Sequence, residues 1–323
     1  MTIKPGIKEI KWMTAGALIF LAVTLMVLHV QSGQNPARQI LFKAERLDQV
    51  TRVRLMLATA SEAEKSAVMA VTDEDSLAFA NQARAAVAEA ERGRAELGRL
   101  LASGGSRGER DLLAQFAEAF TDFRAIDERL LDLAVRNTNV KAFALAYGPA
   151  AEALDAMHAA LARLVEKTAA TPGAADAAAA AFTAQSAAFH IQVLMGPHIA
   201  EADEGNMDAL ESRMDEEDRR VRKALDGLAA PGRFRGDPDL KTAAAAYARF
   251  GDIRIHILAL SRENTNVISL GISLREKRAA LFLCQDVLSS LEQAIREESV
   301  AGVDTEPVTN PRSLNGEKSE KGK

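Results

Sequence analysis

The chain has 323 residues, of which 48% are hydrophobic, 26% charged and only 5% aromatic, and its formal net charge at pH 7 is −5. A chain rich in alanine, glutamate, leucine and arginine reads as long helices and excludes the β-branched, aromatic, turn-rich pattern of sandwiches and barrels. The acidic balance argues against a nucleic-acid partner, and the single cysteine, Cys284, excludes an intrachain disulfide framework and a cysteine-based zinc site.

Residues 1–12 carry Lys4, Lys8 and Lys11 against one Glu9, and Trp12 precedes an uncharged run, Met13 to Val30. Those 18 residues would span about 27 Å as a helix, enough to cross most of a bilayer's hydrocarbon core. The run admits two readings, an uncleaved anchor or a cleaved signal peptide. Its length and the lack of Ala-x-Ala after it favour the anchor. Lysines ahead of the run put residues 1–12 in the cytoplasm and the bulk of the chain outside.

Three breaker clusters follow: Ser103–Gly108, Ala170–Gly173 and Ala230–Pro238. They divide residues 36–298 into four helical arms of roughly 60 residues each. In the second arm a 4-3 apolar seam runs through Phe116, Phe123, Leu130, Asn137, Ala144, Tyr147, Ala151 and Leu161, and predicts one continuous helix from about Glu109 to about Lys167. The fourth arm repeats the seam through Phe250, Ile257, Asn264, Val267, Gly271, Leu274, Arg278, Leu281 and Leu288. In the first arm Val53, Leu57, Ala60, Ala67 and Val71 share a face that changes phase after Thr72-Asp-Glu-Asp75, which resembles a capping box. Gly196-Pro197 predicts a kink or stop in the third arm.

The chain also repeats itself at an offset of 127. Leu113, Phe123, Ile126, Leu131 and Leu133 align with Leu240, Phe250, Ile253, Leu258 and Leu260, and Asn137-Thr-Asn-Val140 recurs as Asn264-Thr-Asn-Val267. The pattern implies a duplicated helical hairpin, residues 36–168 and 171–298. The expected fold is all-α: an elongated up-down bundle of two stacked four-helix bundles, after one N-terminal membrane helix, with residues 299–323 a polar, disordered tail.

The sequence lacks phosphate-loop, dinucleotide, metalloprotease, nucleophile-elbow and haem-attachment motifs, so no enzyme, metal or cofactor is expected. Asn137 and Asn264 occupy equivalent seam positions. They read either as a buried polar layer fixing helix register or as part of a ligand pocket. Arg278, also on the seam, would pair with an acid, extend outward or clamp a ligand carboxylate in a bidentate fork. Tyr147 reads as a core residue or a fourth ligand contact. Arg235-Gly-Asp237 reads as a solvated turn, and Cys284 as a small core residue.

The stretches Glu64-Lys-Ser-Ala-Val-Met-Ala-Val-Thr-Asp-Glu-Asp-Ser76, Phe79-Ala-Asn-Gln-Ala-Arg84 and Ser261-Arg-Glu-Asn-Thr-Asn-Val267 resemble the four-helix-bundle sensor region of methyl-accepting chemotaxis proteins, in length closest to its helical bimodular variety. The resemblance implies a bacterial inner-membrane protein with a periplasmic, homodimeric sensor that binds small metabolites, often organic acids, between its helices. The polar tail is read as carrying no second membrane helix or signalling part, so any signal is expected to pass to a partner protein. The alternative is a structural or adaptor subunit docking its bundle on a membrane or envelope complex.

Overall fold

The computed structural model describes residues 20–21, 23–24, 36–230 and 234–298. They form an all-α protein with no strand among the described residues: α1 (Pro36–Met69), α2 (Asp73–Gly104), α3 (Arg107–Ala134), α4 (Thr138–Tyr147), α5 (Pro149–Thr168), α6 (Ala174–Ala200), α7 (Glu204–Leu228), α8 (Pro238–Glu263), α9 (Thr265–Ile272), a π turn (Ser273–Lys277) and α10 (Arg278–Glu297). Residues 1–12, most of the apolar run 13–30 and the tail 299–323 lie outside the described residues, as does the assignment of that run as a membrane helix. No described helix is long and apolar enough to cross a membrane.

Local chemistry sets the helix ends. Thr72 caps α2 by accepting from the Asp75 amide at 3.1 Å, and Asp73, Glu74 and Asp75 complement the positive end of the helix dipole. Ser106 and Glu109 form a capping box on α3. Asp237, in the turn read as solvated, caps α8 ahead of Pro238.

The helices group into two sets of four. α1, α2, α3 and α9–α10 pack together, and so do α4–α5, α6, α7 and α8. Each even arm is thus shared: its first half packs in its own repeat's set and its second half in the other's. The odd arms are hairpins, turning at residues 70–72 and 201–203. α6 runs through Gly196-Pro197 and ends only at Ala200, so the predicted stop lies a turn too early. Pro197 lacks one amide donor within the last turn of the helix, where the lost bond weighs least.

The even arms depart from the predicted continuous helices. Both break at an asparagine, Asn137 and Asn264, each left-handed at φ 53°. The second arm breaks again at Gly148, and the fourth carries the π turn. These interruptions reset the buried face.

Candidate functional site

The letter-for-letter repeat marks the crossing of the two even arms. The hydroxyls of Thr138 and Thr265 lie 3.2 Å apart. The Thr138 amide donates to the Thr265 hydroxyl at 3.3 Å, and the Thr265 amide to the Thr138 hydroxyl at 3.1 Å. One residue on, the Asn139 amide donates to Asn266 Oδ1, and the Asn266 amide to Asn139 Oδ1, both at 3.1 Å. First-turn amides of a helix have no partner within it. Here each repeat caps the broken helix of the other.

Asn137 and Asn264 extend the layer to the hairpin tips. Asn137 Nδ2 donates to the Thr72 carbonyl at 3.3 Å and to Asp73 Oδ1 at 3.2 Å, and its Oδ1 accepts from Asn266 Nδ2 at 3.0 Å. Asn264 Nδ2 donates to the Glu201 carbonyl at 2.8 Å, and its Oδ1 accepts from Asn139 Nδ2 at 2.7 Å. Of the two readings for this pair, the geometry matches the buried polar layer: both side chains are buried and held by the protein's own groups.

Arg278 and Tyr147 lie elsewhere. Tyr147 is 59% exposed, stacked on Phe143 at 6.0 Å, and a Cβ at Gly196 would lie 2.9 Å from its hydroxyl oxygen. It is a surface residue, because the breaks at Asn137 and Gly148 turn Ala142, Ala146 and Ala150 inward instead. Arg278 is exposed beside the Phe282 ring, 5.5 Å from its centroid. The π turn advances the register, so its neighbour Lys277 occupies the core. The four candidate residues therefore do not converge on one site.

The core position of Lys277 reveals a cluster that the sequence reading missed. Its ammonium bonds the Asp127 carboxylate and lies 3.5 Å from the centroid of the Phe123 ring. Glu64 lies in the same core, wholly buried, with no hydrogen-bond partner for either carboxylate oxygen. Burial pushes Glu64 above the usual carboxylate range, and nearby Ser273 and Lys277 oppose it more weakly. Burial likewise raises Asp127 and lowers Lys277 against their mutual attraction. A signal was present: Glu64 fills the vacant seam step between Ala60 and Ala67. Cys284, a core residue as expected, has its thiol pushed up to about 12 by burial.

The second set holds a triad-like arrangement. His198 Nδ1 lies 2.8 Å from the Ser261 hydroxyl and Nε2 lies 2.8 Å from Glu211 Oε1. Glu211, held low chiefly by Arg262, is an ionised acceptor, so Nε2 carries a proton. Ser261 and His198 are wholly buried, so no substrate reaches the hydroxyl. The arrangement bolts α6 to α7 and α8.

One open concavity of the first set is a groove of about 660 Å³ between α2 and α3, with Arg84, Glu91, Thr121, Arg124, Asp127 and Glu128 in its walls. Arg84 bonds Glu128 at 2.9 Å and Asp132 at 2.8 Å, and Arg124 lies 3.9 Å from Glu91. Among the described residues no group of three or more histidine, cysteine, aspartate or glutamate side chains is placed to hold a metal ion. No protein-family model matches the chain, and no curated protein matches it at a significant level.

Proposed function

We propose that residues 36–298 are the sensing region of a non-catalytic, single-pass protein of a bacterial inner membrane, anchored by residues 13–30 with its bulk in the periplasm. In this reading it is a homodimeric, chemotaxis-receptor-like sensor that binds a small metabolite and signals through a partner protein. The observation that carries the reading is the reciprocal capping of the even arms. Because each broken helix is capped by the other repeat, a shift of one arm displaces the other, as a sensor that relays binding along its length requires. A second support is at the opposite end of the first set. Lys43 of α1 donates to the carbonyls of Arg296 and Glu298, so the start of the first helix and the end of the last sit side by side.

The groove between α2 and α3 suits an organic acid. Guanidinium forks bind carboxylates in bidentate fashion, and a ligand carboxylate would replace Glu128 or Glu91 on Arg84 and Arg124. Thermal unfolding of the full chain against a panel of organic acids, amino acids and amines tests this. A ligand at 100 times its Kd adds about 2.7 kcal/mol of stability, a rise of several degrees, which R84A/R124A would abolish. A flat response across the panel sinks the reading.

One feature favours the adaptor alternative. Phe182, Phe189 and Val193 form an exposed apolar stripe on α6. An adaptor predicts a partner that co-purifies from native membranes and is lost in F182A/F189A.

A further inference from the structure

Glu64 of α1, Asp127 of α3 and Lys277 of the π turn are 0%, 2% and 1% exposed. Lys277 is matched by Asp127, which its ammonium bonds directly. Glu64 is a second carboxylate with no cation of its own, and neither of its oxygens makes a hydrogen bond of ordinary geometry; the Ser273 hydroxyl and Lys277 only partly offset its burial. The other charged or titratable groups around the cluster do not supply one. Lys65, next on α1, is exposed. Arg84 of α2 is engaged by Glu128 and Asp132. Cys284 of α10 is a buried thiol, and Ser273 on the π turn offers only a hydroxyl. Two carboxylates and one ammonium carry a net negative charge in a place where an unpaired charge is strongly disfavoured.

We propose that this cluster is a proton-binding site: Glu64, Asp127 and Lys277 hold one proton beyond the lysine's own, and its release to water as pH rises loosens the packing of α1 against the fourth arm. The extra proton resides on Glu64, the carboxyl without an ion-pair partner, and makes the cluster neutral. Five residues beyond Glu64, α1 ends at the hairpin whose Thr72 carbonyl accepts from Asn137, so a shift of α1 is felt at the crossing of the two arms. Asp127 also lies in the wall of the groove, but the proton is placed on Glu64, which does not line it, so the proposal does not require an organic acid to bind there.

The sign follows from linkage. Below the ordinary glutamate value of 4.5 the carboxyl is protonated whether the chain is folded or not. Above it the unfolded chain gives up a proton that the folded chain keeps, because burial raises the folded value. Stability therefore falls as pH rises from about 4.5 through the folded value, and levels off beyond it.

The test is thermal unfolding of the full chain from about pH 5 to about pH 8, wild type beside Glu64→Gln, which is isosteric and always uncharged. The wild-type Tm should fall across the range relative to the variant, and the variant should be the more stable at the alkaline end. Titrations common to both chains cancel in the difference. Infrared titration of the wild type supplies a readout that needs no variant: a protonated-carboxyl carbonyl band that persists above the usual carboxylate range and disappears as pH rises. Parallel Tm profiles, or no such band above the usual carboxylate range, would overturn the proposal.

Discussion

The two four-helix sets are built from arms with a shared sequence pattern but fill their cores differently. The first packs Phe116, Phe120 and Phe123 as a stacked ladder against leucines, with ring centroids 5.5 and 6.0 Å apart, and buries Arg46, Glu64, Asp127 and Lys277 beside them. The second packs alanines, among them Ala142, Ala146, Ala153, Ala181 and Ala184, with Met157, Met195 and Met214 filling the gaps. Small side chains let helices approach closely. One set is thus filled largely by alanine and methionine, and the other by a phenylalanine ladder with Arg46, Glu64, Asp127 and Lys277 buried beside it.

This contrast predicts opposite weaknesses. Phe123→Ala in the first set should have the largest effect. It removes a wholly buried ring, one rung of the ladder and the face under the Lys277 ammonium, for a loss of about 3–5 kcal/mol. Lys277→Ala, which strands Asp127 beside Glu64, belongs in the same range. In the second set the damaging change is the reverse one. Ala184→Leu should lose about 1–3 kcal/mol through overpacking, with no cavity formed. Urea unfolding of these variants measures both directions. Equal tolerance of Ala184→Leu and of a leucine at an exposed alanine would break the contrast.

The boundary between the sets offers a smaller effect with a clear signature. Asn139→Ala and Asn266→Ala each strip a cap from a helix in the opposite repeat, at about 1–3 kcal/mol apiece. The two side chains belong to one connected layer, so the double variant should lose less than the sum of the singles, with a coupling of about 0.5–3 kcal/mol. Strict additivity would mean that the two crossings act separately and that the arms are not tied together.

Much of this organisation was legible in the sequence, and the exceptions have physical causes. The three breaker clusters fall at the α2–α3, α5–α6 and α7–α8 connections, and both odd arms are interrupted near the predicted places. The repeat is visible because Asn137-Thr-Asn-Val140 must serve the same geometry twice. Helix phase was not legible. In an alanine-rich arm every face offers small apolar residues, so a 4-3 pattern can be drawn through Ala144 and Tyr147 as easily as through Ala142 and Ala146. A left-handed asparagine fits within a continuous pattern, since Asn tolerates that conformation and leaves no composition signal. The π turn adds one residue with no marker at all. Glu64 was visible as a gap in the first-arm seam, but a lone charge in a seam signals little until a second buried charge is found beside it.

The smallest effect tests that phase directly. Arg278 and Lys277 are adjacent, both basic, and separated only by the register that the π turn sets. Arg278 is exposed and touches the face of Phe282, itself 57% exposed. A cation over an exposed ring contributes at most about 0.5–1 kcal/mol, and truncating a surface residue usually changes stability by about 0.5 kcal/mol or less. Arg278→Ala should therefore stay within about 0.5 kcal/mol of wild type by urea unfolding, against a several-fold larger loss for Lys277→Ala. An unbroken α-helix through Ser273–Lys277 would reverse the ranking, putting Arg278 on the seam and Lys277 in solvent. The order of the two losses thus reads the π turn, and with it the burial of Lys277 on which the charged core of the first set depends.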